Sequence, residues 1–419
     1  MNFLVPLQPI MTKYNTATLG NGLQVIHLPS TSPVVYCGIG INAGARHELQ
    51  GEEGLAHFCE HTTFKGTKHR SALQILNGLE SVGGDLNAFT NKEDTVFYAA
   101  IQREHFMRAV DLLCDIVFYS EYPQHEVEHE IDVICDEIES YNDTPAELIY
   151  DEFENLIFQN HPLGHNILGT RERVQKFTTH HALRFTHRYY RPDNAIFFVY
   201  GDVHFPRLLK SLEKRTAAPP ALSPLDGQTV ESTVLGGFPA ESASAPQHHQ
   251  AHVMLGCRTF GFDDPRRMPL FLLNNILGGP GMNARLNLSL RERHGLVYTV
   301  ESSMVSYSDT GCWSVYFGCD HHDVKRCLRL VHRELDHVMQ HPLSERQLQA
   351  AKCQLKGQLA IACDNREQFA LDFAKHFLHY GHERNIDELN LHIDAITSAQ
   401  IQDVAQQFFA PDRLKLLML

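Results

Sequence analysis

The sequence lacks most of the features that would place it outside the ordinary globular classes. Its ten cysteines (37, 59, 114, 135, 257, 312, 319, 327, 353 and 363) form no Cys-x-x-Cys pair and no closely spaced framework. Scattered in this way, they read as the buried, reduced thiols of a reducing compartment. No apolar run approaches the roughly 18 residues that a membrane-crossing helix needs. The opening stretch, MNFLVPLQPIMTKYNTATLG, lacks the charged, apolar and small-residue regions of a signal peptide. A cytoplasmic protein without membrane contact is therefore expected. Positive charge is scarce: 36 Lys and Arg stand against 50 Asp and Glu, a net −14. Phosphate recognition needs clustered cations, so this balance argues against a nucleic-acid partner. With 43% hydrophobic residues and only 27 Gly and 19 Pro spread over 419 positions, disordered and collagen-like chains are excluded as well. Histidine is what the chain has in quantity, at 27 residues. It is the side chain most used for metals and proton transfer.

The length suggests two to three domains at about 150 residues each. A Pro-, Gly-, Ser- and Ala-rich segment from Arg215 to Gln250 divides the chain into similar halves and reads as a linker followed by a domain edge. The first half ends in FTTHHALRFTHRYYRPDNAIFFVYGDV and the second in ITSAQIQDVAQQFFAPDRLKLLML. Both read as an amphipathic helix, an aromatic pair, a Pro-Asp turn and a strand. Tyr189 and Phe408, like Pro192 and Pro411, lie 219 positions apart, a shared register that points to duplication. Each half runs strand, helix, strands, helices, strand, which predicts an α+β fold of layers rather than a doubly wound parallel sheet. The expected division is residues 1–214, a linker and edge at 215–245, and a second half at 246–419.

In the first half, GLAHFCEHTTFKGT carries His57, Glu60 and His61. On a helix these three share one face, Glu60 and His61 each lying within about 60° of His57 around the axis. Two imidazoles four residues apart can hold one divalent ion, with a carboxylate between them close enough to act on water at the metal. A second candidate, His125 to His129, has the order H-E-x-x-H,. There the apolar stripe is Val127, Ile131, Ile134 and Ile138, and the two His point away from it toward solvent. A metal needs a more enclosed place. The same helix sets Glu130 and Glu137 two turns apart beside the buried stripe, so Glu137 could supply a third ligand and Glu130 support it from behind. Cys59, inside the motif, reads as a small buried filler, with blockage of the site by thiol reagents as the functional alternative.

These residues, together with GARHE at 44–48, GGDLNAFTNKEDTVFY at 83–98, HEIDVICDEIESYNDTP at 129–145, YYRPDNAIFFVYGDV at 189–203 and NNILGGPGMNARLNLSLRERHGLVYTVES at 274–302, resemble the pitrilysin/insulinase zinc metallopeptidases. That family includes the mitochondrial processing peptidases, and the likeness covers nearly the whole chain. It implies two α+β halves, each an antiparallel sheet with helices on one side, facing each other as a clamshell around an enclosed chamber. It implies one zinc per chain on His57, His61 and Glu137, with Glu130 behind them and Glu60 as the general base for zinc-bound water. Arg291 and Tyr298 match the family's Arg and Tyr, for substrate backbone and oxyanion respectively. Asn87, Ala88 and Phe89 would form the edge along which a peptide adds as a strand. A shift of 219 sets Ile276, Gly279 and Pro280 opposite His57, Glu60 and His61, and Lys356 near Glu137, so the second half cannot hold the ion. With both residue sets in one chain, a homodimer acting as an endopeptidase on unstructured peptides is expected. The alternative is a non-catalytic assembly subunit of the same fold.

Overall fold

The computed structural model describes residues 14–217 and 250–419. From residue 218 on, the interval expected as a linker lies outside the described residues. The first half contains β1 (Asn15–Thr18), β2 (Gln24–Pro29), β3 (Val34–Ile41), α1 (Leu55–Thr63), α2 (Ala72–Glu80), β4 (Asp85–Thr90) and β5 (Thr95–Gln102). It continues through α3 (Phe106–Phe118), α4 (Gln124–Asn142), α5 (Pro145–Ile157), α6 (Arg171–Val174), α7 (Thr179–Tyr189), β6 (Ala195–Gly201) and α8 (Phe205–Arg215). The second half contains β7 (Ala251–Thr259), α9 (Arg267–Gly278), a π-helix at Asn287–Glu292, β8 (Val297–Ser306) and β9 (Gly311–Cys319). It closes with α10 (Val324–Gln340), α11 (Glu345–Ala362), α12 (Arg366–Tyr380), α13 (Ile386–Ala395), α14 (Ser398–Phe408) and β10 (Lys415–Met418).

The first sheet runs β1-β2-β6-β3-β5-β4 and the second β10-β7-β9-β8. All pairings are antiparallel except that of β2 with β6, which is parallel. The order of the second sheet repeats β6-β3-β5-β4 strand for strand. The offset of 219 recurs in the helices: α7 spans Thr179–Tyr189 and α14 spans Ser398–Phe408. Strand β1, which the sequence pattern did not mark, extends the first sheet alone. Within the stretch 274–302, a π-helix at Asn287–Glu292 precedes the strand, which starts only at Val297.

Helices of the same half cover one face of each sheet, as expected; a helix of the other half covers the opposite face. Along β6, Phe197 and Val199 join the core beneath α1, α3 and α7, while Ile196 and Phe198 face the other way. A strand buried on both faces reads as a continuous apolar run, which AIFFVYG is. Its second face meets Phe369, Phe373 and Phe377 of α12, residues four apart on one helical stripe,. In exchange, Ile149, Phe153 and Ile157 of α5 pack on Met254, Cys312 and Tyr316 of the second sheet. All ten cysteines are free thiols and eight of them are buried. No helix of the described residues is long and apolar enough to cross a membrane.

Candidate metal centre

Helix α1 is buried on almost every side: Leu55, Ala56, Phe58 and Cys59 are inaccessible, and His57 and Glu60 are buried with them. It starts at Gly54, whose φ of +92° and a would-be Cβ 2.6 Å from the Leu168 carbonyl oxygen admit only glycine,. The first amides of the helix find a buried carboxylate. Glu48 accepts from the Gly54 amide at 3.0 Å and the Ala56 amide at 2.7 Å, and pairs with His165 Nε2 at 2.9 Å. A carboxylate at a helix N-terminus meets both the unpaired N–H groups and the positive end of the dipole. The metal-motif helix is thereby fixed at its start.

Helix α4 crosses α1 with Val127, Ile134 and Ile138 in the core and its carboxylates beside them. His57 Nε2 lies 3.8 Å from Glu137 Oε1, and His61 Nε2 lies 3.3 Å from Glu137 Oε2. One ligand atom from each of His57, His61 and Glu137 falls within 4.8 Å of the other two. Metal bonds of about 2.0–2.1 Å in tetrahedral geometry put neighbouring ligand atoms roughly 3.3 Å apart, so the donor set and its spacing fit zinc. On the far side of His61, Nδ1 lies 3.0 Å from Glu130 Oε1, and the other oxygen of Glu130 takes Lys65 Nζ at 2.5 Å. A ring nitrogen held by a carboxylate while the other faces the metal position is the arrangement that orients histidine ligands. His57 Nδ1 is buried without a hydrogen-bond partner, which leaves Nε2 as its useful nitrogen.

Charge is distributed to suit a cation. Burial, aided by the charge of His61, pushes the His57 imidazole well down and keeps it neutral. For His61, burial acts downward too, but the hydrogen bonds to Glu130 and Glu137 outweigh it and raise the group. The carboxylates draw positive charge to this nitrogen, whether a proton or a metal carries it. Glu137 is held below the usual range, first by its hydrogen bond to His61. Glu60 behaves differently. Burial pushes its carboxyl up, although Thr90 Oγ1 donates to Oε2 at 2.6 Å. A raised carboxyl beside a cation position is poised for proton transfer.

The rival motif does not form a site. His125 and His129 are exposed on α4, and neither belongs to a possible metal-holding group among the described residues. Asn87, Ala88 and Phe89 lie in β4, at the open edge of the first sheet. The last residue of that strand is Thr90, the donor to Glu60. Arg291 sits in the π-helix, and its guanidinium carbon stands 5.7 Å from the centre of the Tyr298 ring. Tyr298 is 82% exposed at the start of edge strand β8, within a register shift between Val297 and Val300. Such bulges re-aim a side chain. No hydrogen bond or ion pair of the described residues joins Arg291 or Tyr298 to His57, His61 or Glu137. Thr90 and Lys65 were not foreseen; the distance in sequence between Thr90 and Glu60 hides the contact. Cys59 is fully buried, its thiol directed at the Ala182 carbonyl of α7, as a filler would be.

The profile of the insulinase family (peptidase family M16) matches residues 25–171, and that of the M16 inactive domain matches residues 176–355. An uncharacterized zinc protease of Streptomyces coelicolor is 32% identical, covering 93% of this chain and 86% of that protein. The uncharacterized zinc protease YmxG of Bacillus subtilis is 30% identical over 94% of this chain and 95% of its own. In fold, the chain is similar to a protease from Helicobacter pylori, with a TM-score of 0.87 at 21% identity over 97% of this chain and 99% of that one. An M16 inactive domain structure from Pseudomonas fluorescens gives 0.82 at 19% identity, covering 97% of each chain.

Proposed function

The chain belongs to the insulinase family of peptidases, family M16, and from that premise we propose that it is a zinc-dependent endopeptidase of unstructured peptides. The observation that carries this reading is the convergence of His57, His61 and Glu137 with the buried Glu60 beside an open sheet edge. One zinc per chain, held by those three residues, would supply Lewis acidity to the scissile carbonyl and to water. Glu130, itself paired with Lys65, holds His61 from behind, and Glu137 carries the negative charge that the ion would neutralise. Glu60 takes the proton of the attacking water, one of its oxygens being fixed by Thr90 and its basicity raised by burial.

The peptide binds by its main chain along β4, at Asn87, Ala88 and Phe89. Backbone pairing with a sheet edge gives affinity without strong demands on sequence, and it delivers the chain toward Thr90 and Glu60. Tyr298 donates to the oxyanion and Arg291 grips the substrate backbone, from the facing half. The two halves enclose the chamber in which this happens, two chains form a homodimer, and the protein works in the cytoplasm. The test is metal content and cleavage of a quenched peptide measured side by side. His57→Ala and His61→Ala lose both the ion and the cleavage, while His129→Ala keeps both. Retention of zinc by His57→Ala would refute the assignment of the site.

A further inference from the structure

The turn of the β8–β9 hairpin is seated in the first half, although the hairpin belongs to the second. Two groups of polar contacts hold it. In the first, Glu93 accepts from the Ser308 amide at 3.2 and 3.0 Å and from the Ser308 hydroxyl at 2.6 Å. Arg46 donates to Glu93 at 2.5 Å and grips Asp309 with both terminal nitrogens, at 2.8 and 2.5 Å. In the second, the buried Tyr307 donates its hydroxyl to Glu154 of α5 at 2.7 Å. One helical turn earlier on α5, Tyr150 donates to Glu301 in the middle of β8. A bidentate Arg–carboxylate pair and a buried phenol–carboxylate bond fix orientation as well as distance.

Where this clasp attaches matters more than its strength. Glu93 lies in the turn that follows Thr90, and Arg46 packs against that turn, its amide donating to the Lys92 carbonyl at 2.7 Å. The buried Lys92 donates to the His165 carbonyl, and His165 meets Glu48, the carboxylate that caps α1. Helix α5 in turn follows α4, which carries Glu130 and Glu137, after two residues. The clasp thus ties strand β8 of one half to the three elements of the other that carry Thr90, the metal helix and Glu137. Strand β8 begins at Val297 and carries Tyr298, with Arg291 stacked on that ring.

We propose that Tyr307, Ser308 and Asp309, seated on Arg46, Glu93 and Glu154, are positioning residues for the peptidase reaction. They hold β8 in the register that places Tyr298 and Arg291 against a peptide bound at the metal centre. The proposal rests on the peptidase reading given above and adds residues that touch neither metal nor substrate. They act through the strand alone.

The test combines Tyr307→Phe with Asp309→Asn in the full, zinc-loaded chain, and sets that double variant in the wild-type and Tyr298→Phe backgrounds. Small displacements of reacting groups are costly, so kcat/KM should fall about tenfold in the wild-type background, with zinc content unchanged. In the Tyr298→Phe background the same two substitutions should cost no more than about twofold, because coupled sites are not additive. Hydrogen exchange supplies a readout independent of turnover: amides of 297–306 exchange faster in the variant, while those of 55–63 keep their protection. Equal losses in both backgrounds, or unchanged exchange along β8, would overturn the proposal. A wild-type chain that binds zinc yet cleaves no peptide would defeat the peptidase reading instead. The exchange along β8 would then decide the clasp by itself.

Discussion

At the scale of single residues, environment separates groups that look alike in the sequence. His57 and His61 lie on a helix enclosed by core, with carboxylates converging on them, whereas His125 and His129 face solvent on α4. Glu60 and Glu137 are both carboxylates near one point, yet burial raises the first and the His61 hydrogen bond lowers the second. Two outcomes follow from this division. Glu130→Ala removes the acceptor of His61 Nδ1 and strands Lys65, so zinc affinity should fall by about 10- to 100-fold; competition with a chromogenic chelator measures it. Thr90→Val frees the Glu60 carboxylate to rotate, so kcat should fall by about tenfold at unchanged zinc content, with KM little altered. Helical periodicity made legible that His57, Glu60 and His61 share one face and that Glu130 and Glu137 line another helix, while only the family resemblance brought the two helices to one centre. Thr90 and Lys65 were not legible, since their partners come from elements that no local pattern brings together.

At the scale of elements, the motif segments of α1 and α4 were read as helices, and β6 was read as the strand it is. The π-helix at Asn287–Glu292 was hidden, because its letters are those of an ordinary helix end. Helix α12 was hidden in another sense. The stripe Phe369, Phe373 and Phe377 announces an amphipathic helix but not the sheet it covers, which lies in the other half. Its docking includes a charged contact: His379 Nε2 lies 3.0 Å and Lys375 Nζ 3.9 Å from the buried Asp94. Burial alone would raise Asp94, but His379 and Lys375 bring it below its usual 3.8. A carboxyl lowered by folding contributes stability that is complete above its unfolded value and lost as pH falls through the folded one. The melting temperature should therefore drop below about pH 4 more steeply in the wild type than in Asp94→Asn. Identical acid limbs in the two proteins would contradict this.

At the scale of the whole molecule, each half completes the other. The duplication was legible from the spacing of chain ends, and the repeated strand order agrees with it. The exchange of α5 and α12 was not legible, because hydrophobic periodicity says that a face is buried but not by which partner. Since each sheet owes the cover of one face to the other half, the two should unfold together. Calorimetry should show one transition, and two resolved ones would contradict the exchange. Phe373→Ala, at the centre of the α12 contact with Phe198 and Tyr14, should destabilise the chain by about 3–5 kcal/mol. That loss should appear in chemical denaturation as a lower midpoint of the single transition. In the proposed reaction the Arg–Tyr pair of one half would serve the metal centre of the other, with Glu60 as the base on which turnover depends. The most direct test is the Glu60→Gln chain, assayed together for bound zinc and for peptide cleavage. A full equivalent of zinc with cleavage reduced to background is expected, and turnover at the wild-type rate in that zinc-loaded variant would contradict the role of Glu60 as the base.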